Sequence, residues 1–465
     1  MRTEPYRRHG LLILLATAVS LACFEARERP TIPVFGDLVI ISDPSGAEIT
    51  IDGVDTGART PVNLQGIEAG PHDTELVLFT SPRETFRWEG EFTVSENVLD
   101  TLNAALEGGC GLECDFLVDR GRVGCRATGY GDTCAGAFFS TPALIWPDAF
   151  GGSYAAGGRL LVAGILDSDA GDFVGDTIST LVYRDAWIGR QPVSLESDPR
   201  IERMDLSYWS TAEFHGESLL GLAVRETVVA ADSGGAEDVL FLQFEITNVS
   251  DEERYRRNYP SVPPGGYTYR SLHLGFALDA DIGGATDDLG SADPDLGLTF
   301  MYDADFSDSD LGIYASSPAL VGLLTVEPPA GAAERNRTFW RAQDDWDDDL
   351  NRGFAWRLLA GRLGPGDPIA DHPDADLGYF PTASGDYRFV ETHGPLTLAP
   401  GDTARLVVAL LLAEPSAGTY SPGVFVDPGD PASATRLILS IAAELRDLAA
   451  RVPELWDRFR PTAVD

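Results

Sequence analysis

The chain has 465 residues, with 34 basic against 73 acidic side chains, a formal charge of −39 and no lysine. That length asks for more than one domain, and a 44% hydrophobic content suits packed cores rather than a disordered chain. Phosphate binding needs a basic face, so nucleic acid is excluded as a partner. The acidic excess suits cations or a saline exterior, and solubility alone would account for it as well.

Arg2, Arg7 and Arg8 precede an apolar run, 11–22, that is too short to cross a bilayer. Residues 1–22 therefore read as a secretory signal. The run ends in Val19-Ser20-Leu21-Ala22-Cys23, which resembles a bacterial lipobox, with Ser20 where leucine is usual. The resemblance implies lipidation of Cys23, which would tether the exported chain to a membrane of the bacterial envelope. The alternative is ordinary cleavage, leaving Cys23 a chance thiol. Residues 23–35 carry mixed charge and two prolines and read as a tether.

A compact β module is expected over 36–107. Apolar alternation marks strands at 38–41, 49–51 and 74–79, and Asp52-Gly53 is a two-residue hairpin signal. Pro44-Ser45-Gly46-Ala47, Asp52-Gly53, Gly57, Thr60-Pro61, Leu64, Gly70 and His72 follow one another as in the PEGA domain, with Ser45 in place of the glutamate of the family's name. The module resembles that family. The resemblance implies an all-β fold, a surface or periplasmic setting and contact with envelope components, and it supplies no catalytic residue.

The segment 108–140 is rich in glycine and holds Cys110, Cys114, Cys125 and Cys134. An even number of clustered cysteines in an exported chain reads as two disulfides with open pairing, and this segment as a stapled connector. Zinc is the alternative for Cys110-x3-Cys114, but no histidine lies nearby.

From 141 to 428, short apolar strands alternate with Gly, Pro, Asp and Ser turns. Strands are expected at 160–166, 219–230, 239–247, 272–278 and 403–413, and long loops at 251–269 and 330–350. Many strands without intervening helical periodicity argue for a β-sandwich. The runs 241–250, 274–293 and 301–305, with Gly394-Pro395-Leu396 and 398–402, resemble large secreted bacterial proteins of no established activity. In the final segment, 429–465, Pro431 follows Asp430 as a helix start. Ala434, Leu437, Ile438, Ile441, Leu445 and Leu448 then recur at helical spacing. One amphipathic helix docked on the sandwich is expected, ended or kinked at Pro453.

The candidate chemistry lies in acidic loops that follow strands. Asp279-x-Asp281-x-Gly283 with Asp287 and Asp288 offers oxygen ligands around a glycine turn, as calcium loops do, and Asp167 and Asp169 repeat the idea. Ordinary turn chemistry draws on the same residue types. A further acidic stretch holds Asp303, Asp305, Asp308 and Asp310, and the run 344–349 reads as solvated charge. Six scattered histidines form no H-E-x-x-H pair, and no G-x-S-x-G elbow exists. The expectation is a non-catalytic envelope protein with calcium-stiffened loops, binding envelope polysaccharide or a surface protein. The rival is a glycoside hydrolase-like enzyme using a carboxylate pair, with Trp187, Trp209, Trp340, Trp346 or Trp356 stacking on sugar.

Overall fold

The computed structural model describes residues 34–81, 84–110, 115–128, 132–134, 143–147, 152–167, 177–180, 187–189, 194–197, 201–210, 221–258, 262–308, 311, 316–341, 352–362, 384–417 and 431–461. Cys23, Cys114, Asp169, Asp310, Trp346 and the run 344–349 lie outside the described residues. The fold is mainly β, as the alternation implies.

The N-terminal module contains β1 (Phe35–Asp43), β2 (Glu48–Ile51), β3 (Val54–Arg59), β4 (Val62–Glu68), β5 (Gly70–Ser81), β6 (Glu84–Val94), β7 (Leu99–Ala105) and β8 (Glu107–Cys110). They form a three-stranded sheet, β4-β1-β7, and a five-stranded sheet, β3-β2-β5-β6-β8. Leu38 and Ile40 alternate inward from the first and meet Ile49 and Leu76 from the second in one core. The Asp52-Gly53 turn places both residues at positive φ, 52° and 76°, the geometry that lets a two-residue loop follow the strand twist. His72 holds that turn, with Nδ1 2.6 Å from an Asp52 carboxylate oxygen and Nε2 2.6 Å from the Glu68 carbonyl. Thr60 Oγ1 accepts the amides of Gly46 at 3.1 Å and Ala47 at 3.0 Å. The turn residues singled out by the sequence thus bond to one another.

The larger unit is a sandwich of two sheets. The strands in chain order are β9 (Asp115–Val118), β10 (Gly124–Thr128), β11 (Asp132–Thr133), β12 (Leu144–Trp146), β13 (Gly152–Ser153), β14 (Gly157–Asp167), β15 (Thr177–Thr180), β16 (Trp187–Gly189), β17 (Ser194–Ser197), β18 (Ile201–Ser210), β19 (Leu222–Ala231) and β20 (Val239–Asn248). Helix α1 (Glu253–Asn258) precedes β21 (Thr268–Asp279), β22 (Asp288–Asp293), β23 (Leu298–Asp303), β24 (Leu320–Glu327) and β25 (Glu334–Arg341). Then come α2 (Arg352–Leu359), β26 (Tyr387–Leu398), β27 (Thr403–Ala413), α3 (Pro431–Ile441) and α4 (Ala443–Phe459). The first sheet runs β13-β12-β10-β11-β14-β21-β26-β25, and the second β16-β18-β19-β20-β27-β24-β23-β22. Leu274, Phe276 and Phe389 of the first sheet and Leu242, Phe244 and Leu410 of the second share the core between them.

Several expectations change here. The cysteine segment is divided between the two units: Cys110 closes β8 at the edge of the N-terminal module, whereas β9 to β11 join the first sheet of the sandwich. Cys125 and Cys134 are bonded, with Cα atoms 4.6 Å apart, and both are fully buried. The expected loops at 251–269 and 330–350 contain α1 and β25. Most important, the glycine-studded stretch after Asp279, read as loop, contains the strand β22, every residue of which is buried.

The C-terminus holds two helices, not one, and Pro453 lies inside α4 rather than at its end. The buried stripe Leu445, Leu448, Val452, Leu455, Trp456 and Phe459 runs on both sides of the proline and packs on Phe241, Val407 and Leu411 of the second sheet. That burial outweighs the one backbone hydrogen bond a proline removes. The break falls at Ala442 because Ser416, just after β27, serves both helix ends. Its amide donates to the Ile441 carbonyl at 2.8 Å, and its hydroxyl accepts the Glu444 amide at 3.2 Å. With this outer face covered, β20 is buried on both faces at its start instead of alternating.

Candidate metal centre

The acidic residues gather at one end of the hairpin β22–β23, where Asp288 and Asp303 are directly opposite across the strands. Both are buried, at 0% and 1% exposure. Like charges so placed repel. Asp303 Oδ1 accepts the amides of Asp305 at 3.0 Å and Ser307 at 3.1 Å, and Asp288 Oδ2 meets the Ile282 amide at 3.4 Å. Asp303 Oδ2 and Asp288 Oδ1 are buried with no hydrogen-bond partner among the described residues. A buried oxygen left this way carries a full desolvation cost.

Two groups of three carboxylates lie here, the second including Asp303, each able to present oxygens within 4.8 Å of one another. The first is Asp279, Asp281 and Asp386, from the end of β21 and the approach to β26. The second is Asp287, Asp303 and Asp305, around the ends of β22 and β23. In the first, Arg388 Nε donates to Asp279 Oδ2 at 2.9 Å. In the second, Asp308 accepts the Gly284 amide, and Gly283, at φ 76°, passes so close that a Cβ there would overlap the Asp308 carboxylate. The glycines let this loop close on its own acids.

The electrostatics follow from crowding. Burial first, then the Asp279 and Asp386 charges, pushes Asp281 up to about 7, against the pull of Arg388. Burial and Asp287 push Asp303 up to about 7, although the Ser307 amide favours its ionised form. Asp288 is raised well above the carboxylate range by burial and by Asp281. Asp287 is raised by burial, then by Asp308 and Asp305. All-oxygen donors around a flexible glycine turn are the chemistry of a hard divalent cation such as calcium.

The sequence placed Asp279, Asp281, Asp287 and Asp288 in one loop. The fold sends the first two to one group and Asp287 to the other, with Asp288 in neither but directly opposite Asp303. Asp386 was missed, because it lies over a hundred positions along the chain and only β26 pairing beside β21 brings it near. Asp303 and Asp305 were visible as acidic but not as partners of Asp287. Asp167 closes β14. Trp356, half-buried, donates its indole N–H to the Ser271 carbonyl at 3.2 Å and stands edge-on to His273.

A different buried carboxylate escaped the sequence altogether. Glu391 on β26 lies 2.7 Å from an Arg335 guanidinium nitrogen and 3.7 Å from Arg337 Nε. It accepts hydrogen bonds from Thr299 at 3.3 Å and from Thr325, both on the second sheet. Burial alone would raise its pKa, but His393 and the two arginines outweigh burial and hold it at about 2.

Residues 35–78 match the family model of the PEGA domain. No curated protein matches the chain. Among solved structures, the chain is similar to an Aspergillus nidulans amine oxidase at 9% identity and a TM-score of 0.30, over 90% of this chain and 73% of that one. It is similar to the Pichia pastoris lysyl oxidase at 8% identity and a TM-score of 0.29, over 75% and 64% of the respective chains. Among the described residues no helix is long and apolar enough to cross a membrane.

Proposed function

We propose that this chain is an exported, envelope-associated protein, lipid-anchored through Cys23. Its sandwich is a non-catalytic binding or structural unit for envelope polysaccharide or a surface protein, stiffened by calcium. The PEGA match at 35–78 and the signal-like segment 1–22 before Cys23 support the setting. The observation that carries the calcium reading is the facing pair Asp288 and Asp303, buried on adjacent strands with an unserved oxygen each. A fold that buries such a pair gains from any cation that fills the space between their oxygens.

Thermal unfolding of the purified protein, with calcium titrated against a chelator, tests this reading. A midpoint that climbs with free calcium, climbs less in Asp279→Ala plus Asp281→Ala, and no longer climbs in Asp288→Asn plus Asp303→Asn, supports it. A flat response to calcium and magnesium alike returns these acids to turn chemistry. The anchor is tested separately, by palmitate labelling that must vanish in Cys23→Ser.

A further inference from the structure

The two acidic groups belong to different sheets. Asp279 ends β21 and Asp386 leads into β26, both of the first sheet, whereas Asp287 and Asp303 stand on the hairpin of the second. The Gly385 amide donates to the Asp288 carbonyl at 3.1 Å, so the backbones of the two groups meet at that point. Asp288 is paired across the hairpin with Asp303 of one group, its backbone meets Gly385 beside Asp386 of the other, and the charges of Asp281, Asp287 and Asp303 act on it. It is wholly buried, and its Oδ1 has no hydrogen-bond partner among the described residues.

Asp288 and the six carboxylates of the two groups thus share one sandwich edge, with Arg388 hydrogen-bonded to Asp279. One divalent ion at either group would leave the other group's repulsion in place. We infer that this edge takes two calcium-type cations, one per acidic group, with the Asp288 carboxylate bridging them and the pair tying the two sheets together. A bridging carboxylate has an oxygen for each metal and lowers the repulsion between them. The first ion would also fix Asp288 and the Gly385 junction for the second, so binding should be cooperative. This inference rests on the calcium reading above and goes beyond it in stoichiometry, bridging residue and coupling.

The test is isothermal titration of calcium into the chelator-stripped full-length protein, alongside its single-site variants. Two ions per chain with positive cooperativity are expected. Asp386→Asn should weaken one ion and Asp305→Asn the other. Asp288→Asn, which keeps shape and removes charge, should weaken both by about tenfold or more and abolish their coupling. Asp293→Asn, at the other end of the same hairpin, should bind as the unaltered protein does. A single ion per chain, or two ions that bind independently, overturns the inference and leaves calcium binding standing. No heat and no midpoint shift with any divalent ion overturns both. The stoichiometry of the unaltered protein decides the matter even if Asp288→Asn does not fold.

Discussion

Glu391 and Asp288 are carboxylates with almost no exposure, on strands of opposite sheets of one sandwich, and their ionisation is pushed in opposite directions. Glu391 has its cations built in: Arg335 and Arg337 come from the adjacent strand, and threonines of the facing sheet complete its shell. The charges that act on Asp288 are other carboxylates, those of Asp281, Asp303 and Asp287. The hairpin β22–β23 repeats the contrast at its far end, where Asp293 is met by Arg446 Nε at 2.6 Å and by the amides of Asp295 and Leu296. The fold therefore buries carboxylates in two settings, one with resident arginines and one among other carboxylates, where the proposed ion would sit. A buried carboxylate stays ionised only beside a positive partner, and without one it is pushed toward its protonated form.

The largest way to break the first setting is Glu391→Gln. It leaves Arg337 buried with a lost charge partner, and denaturant unfolding should show a loss of about 3 to 5 kcal/mol, the same with calcium or chelator. The pH dependence has a definite sign. The folded pKa of Glu391 lies below its ordinary 4.5, so its stabilisation is complete above that value and is lost as pH falls through about 2. Between those values the unaltered protein should lose stability more steeply than the Gln variant. If the two run parallel, the arginine network is not what depresses Glu391.

Next in size is the response of the acidic edge to the calcium proposed for it. Saturation a hundredfold above the dissociation constant should add about 2.7 kcal/mol per independent site, read as a rise in unfolding midpoint. The covalent tie offers a control that neither charge nor calcium should move. Replacing Cys125 and Cys134 by serine should cost about 2 to 3 kcal/mol, from the short loop the bond closes in the unfolded chain. Smallest is Arg446→Ala: the arginine is over a third exposed, so its pairing with Asp293 should contribute about 1 kcal/mol or less, and less again in high salt. A loss several times larger would mean that the far end of the hairpin depends on its arginine as heavily as Glu391 does.

Much of the architecture could be read from local pattern. Alternation at 239–247 and 272–278 marked strands that the structure places at β20 and β21, and Asp52-Gly53 marked the turn that joins β2 to β3. Where reading failed, a tertiary partner had overridden the local signal. Asp288 to Asp293 looks like loop because it is acidic and glycine-bearing, yet it becomes a buried strand paired with β23 and bridged at Asp288 to Gly385. Pro453 looks like the end or a kink of the helix, and the apolar stripe on either side carries α4 through it.

The sequence by itself determined the strand-rich class, the turn chemistry of the N-terminal module, the amphipathic C-terminus and the presence of an acidic reserve beside Asp279. Those features depend on neighbours one to four residues apart, whose periodicity survives in the linear text. Only the tertiary structure decided which acids share a space. Asp386 meets Asp279 through pairing of β26 with β21, and Asp303 faces Asp288 through the register of one hairpin. Whether a carboxylate ends beside an arginine, as Glu391 does, or among its own kind, as Asp288 does, is a matter of distances across sheets, and these exist only once the strands have paired.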